Sequence, residues 1–547
     1  MNVQTRRQFV VRAGTVAASA ILSPSALAAG LGSARPAALA RGGRFSEGVM
    51  SGEPTPSAIT LWTRLADAEG KVSVDLEVAT DKSFRHVVAH KRLPTSAAVN
   101  HNVKSRITGL KAHEQYYYRF ATATKDGPVG RFRTALPADS LQPVRFAFWS
   151  CQDYTHGYYN AHEAMAREDL DFVVCLGDYI YDETYHTVKD GTGVRDDKVG
   201  RAQQASGQAG VNYVRAAETL DQYRDKYSLY RSDESLRKVQ ARFPTVMLWD
   251  DHEVQDNYAG GAPDGGLPPE HHYSKKRQAA AYKAFFETMP YSPPGGERNR
   301  IYRRLQFGRT VDLLIMDQRQ YRANQPCDDA TGVPACADYD QPRTFLGTRQ
   351  MNWLKTQLNS SKAAWKVLAN EVTIMPTRVL GGAFFGFDSW DGYPQERESL
   401  LTHIRDRQIK DVVFVTGDIH TFIAGDVRTA AGTGDPAAIE FVGGSVTSSG
   451  LGETDLPAGG GVVIKGNDKN PHTDPSIIEA LKGINPWVDQ ADFDHHGYGK
   501  VVATKDAFDC EMVRMQTIKK KTTAKIPSTG MHYQVARGQQ SIKGTAM

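Results

Sequence analysis

Hydrophobic and polar positions alternate over short stretches in the first quarter of the chain. Residues 57–63 read Ser-Ala-Ile-Thr-Leu-Trp-Thr, and residues 72–79 read Val-Ser-Val-Asp-Leu-Glu-Val-Ala, strictly alternating over most of their length. Residues 116–121 and 129–134 continue the pattern, separated by a turn carrying Lys125, Asp126 and Gly127. Closely spaced strands with turn signals between them predict a small all-β sandwich over residues 44–135. Residues 135–140, Ala-Leu-Pro-Ala-Asp-Ser, read as the linker that follows.

From about residue 142 the pattern changes. Continuous apolar runs alternate with longer segments of helical period, which predicts an α/β core extending to about residue 525. The stretch 214–243 sets Leu220, Tyr223, Tyr227 and Tyr230 at helical spacing, a packing face in this reading. Residues 275–288 and 347–358 predict two further helices. No internal repeat is evident.

Length and charge narrow the function classes. A chain of 547 residues exceeds what one core supports, so two domains and an export segment are expected. Lys+Arg 66 against Asp+Glu 62 leaves a formal charge of +4, too small to imply nucleic acid as a partner. Five cysteines, an odd number, exclude a disulfide scaffold as what holds the fold together. Near the N-terminus, Arg6 and Arg7 precede a weakly apolar stretch that ends in Ala26-Leu27-Ala28. This pattern predicts a twin-arginine signal peptide over residues 1–29, cleaved near Ala28, with the twin-arginine export machinery as partner. The expected location is periplasmic or secreted, and no later segment approaches a membrane span.

The chemistry gathers where the apolar runs stop. Residues 144–149 end in Ser150-Cys151-Gln152-Asp153, and 172–176 in Gly177-Asp178-Tyr179-Ile180-Tyr181-Asp182-Glu183. Residues 244–249 end in Asp250-Asp251-His252-Glu253, 310–316 in Asp317, 365–369 in Asn370-Glu371, and 412–416 in Gly417-Asp418-Ile419-His420. Ligands of α/β sheets collect at the carboxyl ends of strands, so these residues are expected to share one site. A lone aspartate after a strand is ordinarily a turn or a helix cap, and Asp317 keeps that reading. Gly-Asp-x-x-Tyr and Gly-Asp-x-His differ, because each sets two donors at short, fixed reach. Carboxylate, imidazole, phenolate and thiolate together suit a hard or borderline metal, and the phenolate favours trivalent iron.

Taken in order, these segments resemble the PhoD-like (alkaline phosphatase D) family of calcineurin-like metallophosphatases. The series is Ser150–Asp153, Gly177–Asp182, Trp249–Glu253 through Asn257-Tyr258, Asp391–Pro394 through Arg397, and Gly417–His420. The resemblance spans about residues 44–520 and extends to the layout of purple acid phosphatases. Here a cysteine stands in place of the usual first aspartate, and Asp251 where many relatives carry asparagine. It implies a central metallophosphatase β-sandwich flanked by helices, with the small all-β sandwich N-terminal to it. It also implies Fe3+ held by Cys151, Asp178, Tyr181 and His420, with Asp178 bridging to Ca2+ bound by Asp251 and Asp418. Asn257 would contribute to the calcium or phosphate site and Arg397 would contact phosphate, whereas on the sequence alone a surface ion pair on the helix begun by Gln395 is the alternative for Arg397. His252 would serve as proton donor or as support behind the ligands. His495-His496-Gly497-Tyr498 resembles a late family element that closes over the site, with a plain turn as the alternative reading.

The activity this implies is hydrolysis of phosphate esters by in-line attack of a metal-bound hydroxide, that of an alkaline phosphatase. A phosphodiesterase acting on glycerol-phosphate polymers or phospholipids would use the same residues. A non-enzymatic phosphate- or glycan-binding protein is the alternative of another class. No Gly-x-Ser-x-Gly elbow and no His-Glu-x-x-His helix is present. Cys327 and Cys336 flank a short loop and are the disulfide candidates in an exported protein. Cys175 and Cys510, inside apolar stretches, read as packed thiols.

Overall fold

The computed structural model describes residues 37–189, 191–197, 216–267, 273–294, 297–428, 432–453, 457–458, 462–463 and 473–547. The predicted signal segment, residues 1–29, lies outside the described residues. Ala38–Met547 form one compact unit.

Seven strands build the first layer pair: β1 (Val49–Thr55), β2 (Ala58–Arg64), β3 (Lys71–Ala79), β4 (Val87–Ser96), β5 (Asn102–Thr108), β6 (Gln115–Ala121) and β7 (Gly130–Arg133). They pair as a three-stranded sheet, β1-β2-β5, and a four-stranded sheet, β4-β3-β6-β7. Ile59 and Leu61 from one sheet meet Val74, Leu76, Val78, Tyr118 and Phe120 from the other, the inward half of the alternation read in the sequence. Trp62 points the other way. Its Nε1 donates to Asn102 Oδ1 and to the Glu287 carbonyl, both at 3.1 Å. The Arg231 guanidinium lies over the ring of Trp62 at 4.3 Å. The sandwich is thus docked on the larger layers, and Ala135 and Leu136, read as linker, are buried in the larger core.

The larger part stacks two sheets. One contains β8 (Val144–Trp149), β9 (Phe172–Cys175) and β10 (Thr245–Met247), joined by β20 (His496–Ala503), β21 (Ala507–Met515) and β22 (His532–Ala536) in the order β10-β9-β8-β20-β21-β22. The other contains β11 (Arg303–Phe307), β12 (Val311–Ile315), β13 (Trp365–Asn370), β14 (Val412–Thr416), β15 (Phe422–Val427), β16 (Ala438–Gly443) and β19 (Val488–Asp492). Its order is β11-β12-β13-β14-β16-β15-β19. A two-stranded hairpin, β17 (Pro457–Ala458) with β18 (Val462–Val463), stands apart.

Within the apolar runs a period of two persists. Phe146, Phe148, Phe172 and Val174 face the opposite sheet's Leu313, Ile315, Val367 and Val413. Ala147, Trp149, Val173 and Cys175 face outward, under the helices. Strands covered on both faces read as unbroken hydrophobic runs for this reason. The first sheet is covered by α1 (Asn160–Met165), α2 (Leu220–Tyr230), α3 (Glu234–Arg242) and α4 (Lys275–Thr288). Packed on the second sheet are α5 (Gly347–Ser360) and α6 (Pro394–Asp406), while α7 (Pro475–Ile484) borders β19. Tyr223, Tyr227 and Tyr230 are buried, as their spacing indicates. The single long helical stretch divides at Asp233, whose carboxylate caps α3 through the N–H groups of Ser235 (2.8 Å) and Leu236 (3.1 Å).

Candidate metal centre

Parallel pairing aligns the strand ends that carry the chemistry. β8, β9 and β10 run parallel in one sheet, and β12, β13 and β14 in the other. Their carboxyl ends meet at one rim of the two-sheet stack, where Cys151, Asp178, Asp251, Asp418 and His420 converge. One ligand atom each from Cys151, Asp178 and His420 lies within 4.8 Å of the others, and the same holds for Asp178, Asp251 and His252 and for Asp250, Asp251 and Asp418. Asp178 belongs to the first two groups and Asp251 to the last two, so the three form one continuous cluster. Tyr181 joins it: its hydroxyl is 3.0 Å from Asp178 Oδ2 and 3.0 Å from His420 Nε2.

The local backbone is held in conformations that L-residues rarely adopt. Cys151 (φ 56°), Asp178 (φ 51°), Asn257 (φ 52°), Asp418 (φ 67°) and His420 (φ 57°) are all left-handed. Such geometry costs on the order of 1–2 kcal/mol per non-glycine residue, and it turns each side chain sharply off its strand end. The turn after β9 also requires Gly177, at φ 108°, because a Cβ there would lie 2.4 Å from Asp250 Cβ. Glu253 ties the turns together by accepting the N–H groups of Asp178 (3.1 Å), Tyr179 (2.6 Å) and Asp250 (2.7 Å).

The loop 445–449 supports the cluster from β16. The Thr447 and Ser448 N–H groups donate to the Cys151 carbonyl, both at 3.2 Å. Ser448 Oγ lies 2.6 Å from the Tyr181 hydroxyl, and His420 Nδ1 2.9 Å from the Ser449 carbonyl. A carbonyl only accepts, so His420 carries its proton on Nδ1 and turns a lone pair on Nε2 toward Tyr181 and Asp178.

Electrostatics favour cations here. Burial raises the Asp178 carboxyl well above the ordinary carboxylate range, and the Asp251 charge adds to it. Asp418 is raised by burial and then by Asp250, and the Cys151 thiol by burial and then by Asp178. Asp178 Oδ1 is buried without a hydrogen-bond partner among the described residues. A buried carboxylate oxygen with no donor, beside a thiol, a phenol and an imidazole lone pair, is the donor set a metal centre needs. The residues therefore fit metal ions.

His252 sits at the edge of this cluster. Its Nδ1 is 2.9 Å from Asp182 Oδ1, and Arg277 holds the other oxygen of Asp182 at 2.7 Å. Burial disfavours the imidazolium, but the charges of Asp251, Asp178 and Asp182 outweigh it and raise the pKa of His252 well above its usual value. Asn257 donates its N–H to Asp251 Oδ2 and its side-chain amide to Asp329 Oδ2, both at 2.7 Å. A cleft of about 240 Å³ opens over the cluster, lined by Asn257, Asp329, Asp388, Asp418, His420 and Ser449 among others.

Arg397 is not brought to the site. It is fully buried on α6, with Nε and Nη2 donating to the Ile374 and Arg428 carbonyls, both at 2.6 Å. Neither the phosphate contact implied by resemblance nor a surface ion pair describes it there. The guanidinium beside the carboxylates is Arg319, two residues beyond Asp317. It is fully buried, donates to Asp250 and Asp388, and lies 3.7 Å from Asp251 Oδ1 and 3.6 Å from Asp418 Oδ1. Following the chain past Asp317 by the same strand-end rule would have found it. Asp317 itself accepts from Trp249 Nε1 (3.1 Å) and Gln320 Nε2 (2.8 Å), a packing role. Glu371 accepts from the Gln318 N–H at 2.7 Å. Cys327 and Cys336 are joined in a disulfide, whereas Cys151, Cys175 and Cys510 are free and buried. Among the described residues no helix is long and apolar enough to cross a membrane.

Comparison with known proteins identifies relatives of this chain. A family profile described as PhoD-like phosphatase matches residues 146–512, and one described as PhoD-like phosphatase, N-terminal domain, matches residues 32–136. The chain is 35% identical over 489 residues to alkaline phosphatase D of Bacillus subtilis (strain 168), covering 86% of this chain and 80% of that protein. The solved structure of PhoD superposes with a TM-score of 0.76 at 31% identity, covering 92% of each chain. A purple acid phosphatase, PPD1 from yellow lupin seeds, shares the fold at a TM-score of 0.50 and 12% identity, over 91% of this chain and 75% of that one. The chain belongs to the PhoD-like phosphatase family.

Proposed function

We propose that the protein is an exported, metal-dependent phosphoesterase with an alkaline optimum, an alkaline phosphatase acting on phosphate monoesters, diesters or both. The observation that carries this reading is the convergence of Cys151, Asp178, Tyr181 and His420 beside Asp251 and Asp418 at one rim of the two sheets. Cys151, Tyr181 and His420 would hold Fe3+ together with Asp178, and Asp251 and Asp418 would hold Ca2+, with Asp178 shared. Such ions, when bound, acidify water and neutralise charge on a transferring phosphoryl group.

The chain's own residues do the rest. Ser448 and the Ser449 carbonyl orient Tyr181 and His420, so the donors are set before a substrate arrives. The carboxylates around His252 raise its pKa and so favour the protonated ring. With Nδ1 engaged by Asp182, Nε2 is the position from which a proton could pass to a leaving alkoxide. Asn257, which lines the cleft, would meet the ester group. Export rests on the Arg6-Arg7 segment, and the twin-arginine route suits an enzyme that acquires its metals before crossing the membrane.

The test measures turnover of a phosphate monoester and a diester by purified protein, before and after chelation, together with metal content by elemental analysis. Activity should vanish on chelation and return with iron and calcium. Cys151→Ala should lose iron, visible charge-transfer absorption and activity together. Full activity in metal-stripped protein would sink the reading, and the ratio of the two turnovers assigns the ester class.

A further inference from the structure

The loop 445–449 that supports Tyr181 and His420 also contacts a second constellation, formed by His156, Glu453 and His496. One ligand atom from each lies within 4.8 Å of the other two. Both histidines are buried, and the Glu453 side chain is 30% exposed. The three come from the segment after β8, the segment after β16 and the start of β20, so nothing in their local sequence requires them to meet.

Tautomers decide what this group can hold. His156 Nδ1 is 2.5 Å from the Thr447 carbonyl. A carbonyl only accepts, so in the neutral ring the proton sits on Nδ1 and Nε2 carries a lone pair, with Ser449 Oγ near it, at 3.5 Å. His496 Nδ1 is 2.8 Å from Ser445 Oγ, which itself lies 2.5 Å from the Ser448 carbonyl. The serine proton is spent on that carbonyl, so Oγ accepts from His496 Nδ1–H, and Nε2 of His496 is again a lone pair. Yet that Nε2 faces Glu453 Oε2 at 3.1 Å, and His156 Nε2 faces Glu453 Oε1 at 3.9 Å. Two lone pairs and a carboxylate directed at one point repel one another unless a cation lies among them. A proton on His496 Nε2 would satisfy only the His496–Glu453 contact and would leave the His156 Nε2 lone pair facing Glu453 Oε1, whereas one cation serves all three groups.

We propose that His156, His496 and Glu453 form a second metal site, separate from the Cys151–Asp178–Asp418 centre, that takes a divalent ion of the zinc class. Two imidazole nitrogens and one carboxylate are a borderline donor set that suits Zn2+, whereas Ca2+ needs six to eight oxygens. The surroundings are those of a ligating pair of histidines, each with its far nitrogen fixed by a backbone carbonyl or a hydroxyl. Glu453 Oε2 also accepts the Gly450 N–H at 3.2 Å. On the open side stands His186, stacked on His156 at 4.0 Å between ring centres. Its Nδ1 is fixed by Asp153 at 2.6 Å, and its Nε2 is 3.1 Å from Ser449 Oγ. Lys519, whose Nζ reaches the His156 carbonyl at 3.3 Å, weakens cation binding, and the Asp153 carboxylate offsets it. The ion would pin the segments around residues 156, 453 and 496 to the loop that orients Tyr181 and His420. Its role is structural.

The experiment counts Zn2+ per chain in purified full-length protein by elemental analysis, and records the visible bands of Co2+ exchanged into the same protein. Wild type and Cys151→Ala should each retain one Zn2+ that His496→Ala and Glu453→Gln lack. Ser445→Ala, which removes the hydroxyl behind His496 together with its bond to the Ser448 carbonyl, should weaken Co2+ binding about 10- to 100-fold. Because that variant keeps all three ligands, it reads the site even where His496→Ala fails to fold. Equal Zn2+ counts in wild type and His496→Ala, or loss of the ion in Cys151→Ala alone, would overturn the proposal.

Discussion

Removing the Arg319 guanidinium is the perturbation that most directly probes how the acidic rim is held together. Arg319 is wholly buried, and its fork grips Asp388 through Nη1 at 2.8 Å and Nη2 at 2.7 Å, while Nε donates to Asp250. Asp251 and Asp418 lie just beyond hydrogen-bond reach, at 3.7 and 3.6 Å. Arg319→Met preserves most of the side-chain volume but leaves the buried Asp250 and the partly buried Asp388 without this counterion. Arg322, on Asp388 at 2.6 Å, and the Gln325 amide, at 2.8 Å, compensate in part. Breaking a buried ionic network by deleting one partner costs about 3–5 kcal/mol. Replacing the whole network by apolar residues need not cost anything, so the size of the loss comes from the stranded carboxylates. Urea unfolding followed by tryptophan fluorescence in chelator should show a midpoint lowered by on the order of 1 M. Saturating Ca2+ should recover part of the loss, because a cation beside Asp251 and Asp418 replaces some of the missing charge. Arg319→Lys should recover less than half, since one ammonium cannot reproduce a two-pronged contact. In a double-mutant cycle with Asp388→Asn the coupling should reach about 1–3 kcal/mol. A variant within about 1 kcal/mol of wild type in chelator would refute this account of the rim.

Two further outcomes are open to measurement. His162, buried with Nε2 2.7 Å from Gln152 Oε1, is pushed down to about 3 by burial, so it stays neutral in the fold while its unfolded counterpart protonates near pH 6.5. Stability it supplies above that pH should fall as the pH drops, by about 2 kcal/mol at pH 5, and the decline between pH 7 and 5 should flatten in His162→Gln, with parallel curves counting against it. Changing Arg6 and Arg7 to lysine should trap precursor in the cytoplasm, and normal export would exclude the twin-arginine route.

The fold's legibility followed packing. β2, β3, β6 and β7 alternate because each has one face on the sandwich core, and that face is visible in the sequence. β4 escaped the reading: it is an edge strand, carries His90, Lys91, Arg92 and Pro94, and leaves most of its residues exposed. β1 contains Gly52, Glu53 and Pro54, which mimic a turn, but its partner β2 and a register shift between Gly52 and Thr55 accommodate them. In the larger sheets the helix–strand grammar was readable, while the break between α2 and α3 was not. The packing tyrosines span it with near-continuous period, and only the Asp233 cap marks the division.

At the site, what could be read was whatever lies immediately after a strand, because parallel pairing carries strand ends to a common rim whatever the loops do. Cys151, Asp178, Asp251, Asp418 and His420 all fall in that class. Residues whose position depends on a loop's own path were not readable in that way. Asp388 reaches Arg319 from a segment between β13 and α6, and Ser448 reaches Tyr181 from a loop that looks like a plain Gly/Ser connection. Arg397 shows the opposite error. A chemically apt residue in a recognisable segment lies on α6, where helical period turns it inward with Leu400, Leu401 and Ile404, and its Nε and Nη2 donate to two backbone carbonyls. Distance from a strand end is therefore a better guide to membership of this rim than residue type. Arg319, four residues past the end of β12 and two past Asp317, meets the criterion that Arg397 fails.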